Sequence, residues 1–217
     1  MIIGLLNQKG GVGKTTLSTS IAHALANITG PDEVIVIDAD PQQSAITWSE
    51  MRESKLPFSV IGMAKKSLHR DLPAIAKNYK HVIIDGPPRV TDLARSCVMA
   101  SDIVLIPCTP SPYDIWASSE TVDLIQEASV YKEKLKSLFV INRKIANTAI
   151  ARDVEEALKK FEIDLSQSSI CQRVIFAEAA ASGKTVFDLE PEGKAASEIE
   201  SLVTELIAMS HNKVEAA

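Results

Sequence analysis

The sequence predicts a single α/β domain whose mostly parallel β-sheet is flanked by helices on both faces. Short apolar, β-branched segments recur along the chain, too short for buried helices and without the alternation of half-exposed strands. Segments with helical periodicity separate them, and this order favours a parallel sheet with right-handed crossovers. A length of 217 residues and a hydrophobic content of 46% suit one well-buried domain.

Six segments are predicted to be buried strands, and three apolar stripes predict helices. The strands are Ile2–Leu6, Val34–Asp38, Phe58–Gly62, His81–Asp85, Ile103–Pro107 and Leu138–Asn142. The helical stripes are Leu17, Ile21, Leu25 and Ile28; Ile150, Val154, Leu158 and Phe161; and Ile199, Leu202, Val203, Leu206 and Ile207. The stretch 166–193 has no clear period. We expect a domain over residues 1–210 and a flexible tail over 211–217.

Composition and charge narrow the functional classes. Apolar runs fall far short of the ~20 residues that cross a bilayer. The N-terminus also lacks a basic leader with a cleavage site, so a cytoplasmic location with no membrane partner is expected. Cys97, Cys108 and Cys171 have no metal-binding or disulfide spacing and are expected to be buried apolar residues. Because the net charge is -5, any DNA contact requires a local basic patch.

A glycine-rich loop joins the first predicted strand to the first predicted helix. Its glycines let successive backbone amides point at phosphate oxygens, and the helix N-terminus adds partial positive charge. We expect Lys14 to bridge the β- and γ-phosphates and the Thr15 hydroxyl to bind Mg²⁺. This pattern predicts a P-loop NTPase domain. The predicted nucleotide-binding residues of the loop are Lys9, Gly10, Gly11, Val12, Gly13, Lys14, Thr15 and Thr16.

Two predicted strands end in an aspartate, Asp38 and Asp85, and Asp40 follows the first of them. Because ligands collect beyond the carboxyl ends of parallel strands, these carboxylates are expected near the loop. Carboxylates in one site repel each other unless a cation or a positioned water uses them. Asp85 ends an apolar strand, which is the Walker B form, and is predicted to hold Mg²⁺ through a water. An alternative role for Asp40 is to cap the following helix.

The loop departs from the usual P-loop pattern because Gln8 occupies the place of the first glycine and Lys9 follows it. The variant Lys-Gly-Gly-Val-Gly-Lys-Thr resembles the deviant Walker A motif of the ParA/MinD family of dimerising ATPases. This resemblance implies ATP and Mg²⁺ as ligands and an ATP-dependent homodimer in which Lys9 reaches the partner's nucleotide. The alternative is that Lys9 is a solvated loop lysine. The resemblance also implies that Asp40 orients the attacking water. The implied catalytic residues are Lys9, Lys14 and Asp40, and the implied metal site comprises Thr15, Asp38 and Asp85.

Later segments resemble the small, ParF-like members of the same family. Residues 109–114 match a proline-rich loop, and Asn142 matches a strand end at which an asparagine reads the nucleotide base. The family implies nonspecific binding to nucleoid DNA and a ParB-like or adaptor partner that stimulates hydrolysis. The candidate DNA-binding residues are Arg143, Lys144, Arg152, Arg173, Lys184 and Lys194. The cargo stays open between a plasmid, a chromosome and a protein assembly.

Two other functional classes use the same loop. A small metabolic enzyme could be an ATP-dependent ligase or a reductase. A reductase needs cysteines that bridge a cluster between protomers; Cys97 lies at a suitable distance after Asp85, but no second cysteine is near it. The other class is a noncatalytic nucleotide-gated scaffold, against which the presence of Lys14 and Asp40 argues.

Overall fold

The computed structural model describes residues 1–145 and 148–211 and contains one seven-stranded sheet. The strands are β1 (Ile2–Leu5), β2 (Val34–Asp38), β3 (Ser59–Gly62), β4 (His81–Asp85), β5 (Ile103–Cys108), β6 (Lys136–Lys144) and β7 (Asp164–Cys171). All neighbouring strands pair in parallel, in the order β3-β2-β4-β1-β5-β6-β7. The predicted parallel sheet is confirmed.

Helices cover both faces of the sheet. They are α1 (Lys14–Thr29), α2 (Ser44–Glu50), α3 (Leu68–Ala76), α4 (Asp92–Ala100), α5 (Pro112–Ser129), α6 (Ala149–Leu158), α7 (Val174–Ala180), α8 (Val186–Leu189) and α9 (Lys194–His211). Helices α1 and α9 bury their apolar residues in one core cluster, and α4 and α5 bury theirs in a second. Alternate residues of β2 enter opposite clusters, which explains why this strand is apolar throughout.

The six predicted strands agree with the structure to within a few residues, but β7 was not predicted. This strand lies at the sheet edge, and of its eight residues, DLSQSSIC, only Ser166 and Ile170 are buried. Such a strand lacks the continuous apolar run that identifies the other six. Helix α9 extends through His211, one residue into the predicted tail, and residues 212–217 lie outside the described part of the chain. Among the described helices, none has the length and apolar character needed to cross a membrane.

The strand order brings the carboxyl ends of β1, β2 and β4 together. Strand β4 lies between the other two, and Asp85 is the Cα partner of both Leu5 and Asp38. The chain leaves β1 into the glycine-rich loop and leaves β2 toward Asp40. The loop and the three predicted aspartates therefore share one edge of the sheet, where open α/β sheets bind their ligands.

Candidate nucleotide-binding site

The glycine-rich loop requires glycine at its last bend. Gly11 and Gly13 have φ values of +80° and +92°, in the left-handed region that favours glycine. A Cβ atom on Gly13 would also lie 2.3 Å from Nδ2 of Asn142. Helix α1 begins at the next residue, with no side-chain cap and no acidic residue in its first turn. Its free amides point at the loop and suit an anion such as a phosphate.

The Lys14 ammonium group lies inside this loop. Its side chain is buried, and Nζ donates to the carbonyl oxygens of Asn7 at 3.1 Å and Lys9 at 3.3 Å. Burial lowers the pKa of Lys14, and the charges of Asp85 and Asp40 act in the opposite direction. Weak carbonyl contacts to a partly desolvated cation favour exchange for phosphate oxygens.

Asp85 lies beneath the start of α1. Its carboxylate accepts hydrogen bonds from the Thr15 hydroxyl at 2.7 Å and the Ser18 hydroxyl at 3.1 Å. Burial raises its pKa to about 7, although both hydroxyls act to lower it. A hydroxyl and a carboxylate in contact are hard oxygen donors of the kind Mg²⁺ prefers. The described residues contain no group of three His, Cys, Asp or Glu side chains placed to hold a metal, so phosphate oxygens and water must complete such a site.

The structure assigns the two aspartates after β2 different roles. Asp38 is fully buried, and its carboxylate accepts from the backbone amides of Asp40, Ala45 and Ile46 at 3.0, 2.8 and 3.0 Å. It thereby anchors the start of α2, and burial is the main reason that its pKa is raised. Asp40 accepts from the Gln42 amide at 2.9 Å and makes no cap to α2, so the helix-cap alternative for Asp40 is wrong.

Asp40 faces a cavity between two loops. The cavity measures about 390 Å³ and is bounded by the segment after β2 and the segment after β4. It is lined by Asp40, Pro41, Gln42, Pro87, Pro88, Arg89, Thr91 and Leu93. A Cβ atom on Gly86 would lie 2.5 Å from the Leu5 carbonyl oxygen, so only glycine lets the second loop pack against β1. This space is suited to a water positioned by the Asp40 carboxylate.

Lys9 turns away from Lys14 and pairs with Asp114 at the start of α5. The Lys9 side chain is 42% exposed, whereas the Asp114 side chain is 0% exposed. Asp114 also accepts from the Thr109 amide at 3.0 Å and the Thr109 hydroxyl at 2.6 Å. The contact of Asp114 with Lys9 was not predicted from the sequence. The only available signal was an acidic residue within the proline-rich segment 109–114.

Asn142 supports the loop from the end of β6. Its Nδ2 donates to the Val12 carbonyl at 2.7 Å, and its Oδ1 accepts from the Arg143 amide at 2.9 Å. It lines a cavity of about 910 Å³, a volume that accommodates a nucleoside. Asn142 can thus act in two ways, as a contact for the base and as a brace for Val12.

The candidate DNA-binding residues lie on several elements. Arg143, Lys144 and Arg173 line the same cavity as Asn142, whereas Lys184 lines a different one. Lys144 pairs with Glu155 at 2.8 Å, and Arg173 pairs with Glu198 at 2.6 Å. Lys194 is exposed at the start of α9, and the side chain of Arg152 lies outside the described part of the structure. Of the five candidates whose side chains the structure describes, Arg143 and Lys194 are the exposed ones.

The cysteines do not match the reductase alternative. Cys97 and Cys108 are fully buried, and burial raises the pKa of each thiol to about 12. A cluster ligand that bridges protomers must be a thiolate at the surface. Cys171 is half-buried, which departs from the expectation that all three are core residues.

Comparisons with known proteins agree with this geometry. Residues 3–186 match the family model described as the CobQ/CobB/MinD/ParA nucleotide binding domain. The chain is 31% identical over 210 residues to the maintenance of carboxysome distribution protein A of Halothiobacillus neapolitanus, covering 94% of this chain and 95% of that protein. It is 26% identical over 250 residues to the sporulation initiation inhibitor protein Soj of Bacillus subtilis, covering 95% and 98%.

Among solved structures, the septum site-determining protein MinD of Pyrococcus horikoshii OT3, complexed with Mg-ADP, has the same fold. Its TM-score is 0.76 at 17% identity, covering 100% of this chain and 99% of that one. The glycine loop, the buried lysine and the strand-terminal aspartates occur in a chain whose matches span nearly its whole length. The protein therefore belongs to the CobQ/CobB/MinD/ParA nucleotide-binding family, as a member of the ParA/MinD type.

Proposed function

We propose that the chain is an ATP-dependent dimerising switch of the ParA type that hydrolyses ATP to ADP and phosphate. The observation that carries this proposal is the contact of Thr15 with Asp85 beside the buried Lys14, under the uncapped start of α1. These groups supply the phosphate-binding and metal-binding contacts that a triphosphate with Mg²⁺ requires. Mg²⁺ bound there supplies charge that stabilises the transferring phosphoryl group.

Each residue of the site has a distinct part in the proposed reaction. The α1 amides and Lys14 hold the β- and γ-phosphates, and Thr15 with Asp85 holds the metal ion. Asp40 orients the attacking water in the cavity between the loops, while Asp38 fixes the start of α2 and supports the water shell of the metal. Asn142 holds Val12 at the phosphate end of the base cavity.

The switch requires Lys9 to change partners. In the described conformation Lys9 contacts Asp114 of its own chain. If Lys9 left Asp114 and contacted the nucleotide of a second copy, ATP binding would be linked to dimerisation. The γ-phosphate would then bind the dimer better than the monomer. The Asp114 pair supports this part of the proposal, since it gives the Lys9 ammonium group a partner within its own chain.

Cargo positioning on nucleoid DNA in the cytoplasm is the proposed output. One relative is named for the maintenance of carboxysome distribution, which supports a spatial role over metabolic turnover. The net charge of -5 requires DNA contacts to come from a basic patch assembled on the dimer. A ParB-like or adaptor protein would stimulate hydrolysis and release the dimer from DNA.

Size analysis by light scattering with ATP, ADP and no nucleotide tests this function. We expect dimers with ATP only, dimers that persist on DNA for Asp40→Ala because hydrolysis stops, and monomers for Lys14→Ala because nucleotide binding is lost. ATP turnover that needs a small acceptor and ignores DNA would instead indicate a ligase. A protein that remains monomeric under all conditions would contradict the switch.

A further inference from the structure

Arg89 presents a guanidinium group that the fold itself does not use. It follows Gly86, Pro87 and Pro88 on the loop after β4, and its side chain is exposed. In the part of the chain that the structure describes, it makes no hydrogen bond or ion pair. Nearby charges do have partners: Asp92 pairs with Lys66 at 2.8 Å and Arg95 with Glu127 at 2.9 Å. The guanidinium is therefore available to bind a ligand.

The same residue lines the cavity that Asp40 faces. Prolines on both loops form the walls of this space of about 390 Å³, which places the arginine and the carboxylate around one volume. A water molecule takes about 30 Å³ of liquid volume, so the cavity has room for several waters or for a terminal phosphoryl group with its attacking water. Among the described residues that line it, Arg89 is the only cation.

The backbone of Arg89 has a conformation that glycine adopts more easily. Its φ is +105°, in a region where a bulky side chain is strained. The described part of the chain contains three other such non-glycine residues, Asp32, Gln43 and Arg143. Strained residues cluster at functional sites, where the surrounding structure holds them in place. Arg89 thus carries a long cationic side chain at a backbone conformation that favours glycine.

We propose that the Arg89 guanidinium is a catalytic group that contacts the γ-phosphoryl oxygens of the nucleotide bound to its own chain as the phosphoryl group is transferred. This inference rests on the proposed ATP hydrolysis. The oxygen of water forms a bond to the γ-phosphorus, and the bond to the β–γ bridging oxygen breaks. ADP leaves with that electron pair, and the water proton passes to the released phosphate. Arg89 stabilises the negative charge that spreads over the equatorial oxygens.

A glycine variant separates this role from a structural one. Arg89→Gly removes the charge and also relieves the backbone strain, so its melting temperature should equal or exceed that of the wild type. We expect its single-turnover rate with Mg-ATP to fall about 10²-fold or more, as for the loss of one preorganised donor, while its dissociation constant for ATP changes less than about threefold. Arg89→Lys should retain part of the rate because it keeps a cation.

Binding of ADP with aluminium fluoride, a mimic of the phosphoryl group in transfer, gives a second measurement. Arg89→Gly should bind this pair much more weakly than wild type while binding ADP alone equally well. A mixture of the Arg89→Gly and Asp40→Ala proteins should not recover turnover. If Arg89 acts on the nucleotide of its own chain, one site of a mixed dimer lacks the guanidinium and the other lacks the Asp40 carboxylate. Recovered turnover would move the guanidinium to the partner's site and overturn the same-chain assignment.

The inference is wrong if Arg89→Gly hydrolyses ATP at the wild-type rate, or if its loss of rate equals its loss of ATP affinity. Both results differ from a failure of the proposed function, in which the wild-type chain itself would release no ADP with DNA and a partner present.

Discussion

Replacement of Asp114 by Asn tests whether Lys9 is held back from dimerisation. Asp114 is buried, and Lys9 is its one ion-pair partner among the described residues. When Lys9 leaves to reach a partner's nucleotide, a buried carboxylate loses its counter-charge. Asparagine removes that penalty while its side-chain oxygen still accepts from the Thr109 amide. We therefore expect Asp114→Asn to strengthen the ATP-dependent dimer.

The magnitude follows from the burial of the pair. Loss of one partner from a fully buried pair costs about 3–5 kcal/mol, but Lys9 is 42% exposed, so solvent screening reduces the cost to about 1–2 kcal/mol. A symmetric dimer breaks two such pairs, or about 2–4 kcal/mol in total. At 1.4 kcal/mol for each factor of ten, the dimer dissociation constant should fall roughly 30- to 700-fold.

Sedimentation equilibrium with Mg-ATP measures this change directly. Asp40→Ala should serve as the background for both proteins, so that hydrolysis does not deplete the dimer. Asp123→Asn provides a matched control, since Asp123 is exposed on the same helix. A dimer of unchanged or weaker affinity in a well-folded Asp114→Asn protein would refute the idea that Asp114 competes for Lys9.

Three further predictions concern the loop and two carboxylates, one of them buried and the other half-buried. Gly13→Ala should abolish nucleotide binding in calorimetry, because its Cβ would clash with Asn142 and its φ of +92° disfavours alanine. Burial raises the pKa of Asp85 to about 7, so between about pH 4 and pH 7 the folded chain holds a proton that the unfolded chain has lost. The nucleotide-free fold therefore loses stability as pH rises through this range. Asp85→Asn should therefore stabilise the free protein at pH 8, by at most about 4 kcal/mol, with a gain in melting temperature that disappears near pH 4. Burial acts to raise the pKa of Asp188, but its hydrogen bond with Arg52 helps lower it to about 2. The ionised Asp188 carboxylate therefore stabilises the fold above about pH 4, and this stabilisation is lost as pH falls toward 2. Asp188→Asn should lower the melting temperature at pH 7, and the melting temperature of this variant should decrease less between pH 4 and pH 2 than that of the wild type.

The sequence predicted those parts of the molecule whose signal is local. Buried strands such as β2 are apolar over their whole length, and the phosphate loop combines glycines with Lys14 over a few residues. The edge strand β7 lacks that signal because, of its eight residues, only Ser166 and Ile170 are buried.

Contacts between distant segments were harder to predict. Asp114 meets Lys9 across 105 residues, and Asn142 meets Val12 across 130. No local sequence pattern predicts either contact, because both depend on how β1, β5 and β6 lie side by side in the sheet. Asp38 and Asp40 were expected to share a site, but only the structure shows that Asp38 anchors α2 with its oxygens.

The central claim is that the loop before α1 binds a triphosphate through its amides and Lys14. Titration calorimetry with Mg-ATP tests it most directly, with Lys14→Ala as the matched variant. We predict one nucleotide bound per wild-type chain and no measurable heat of binding for Lys14→Ala. Absence of binding to the folded wild-type protein, or equal affinity in the variant, would contradict the account.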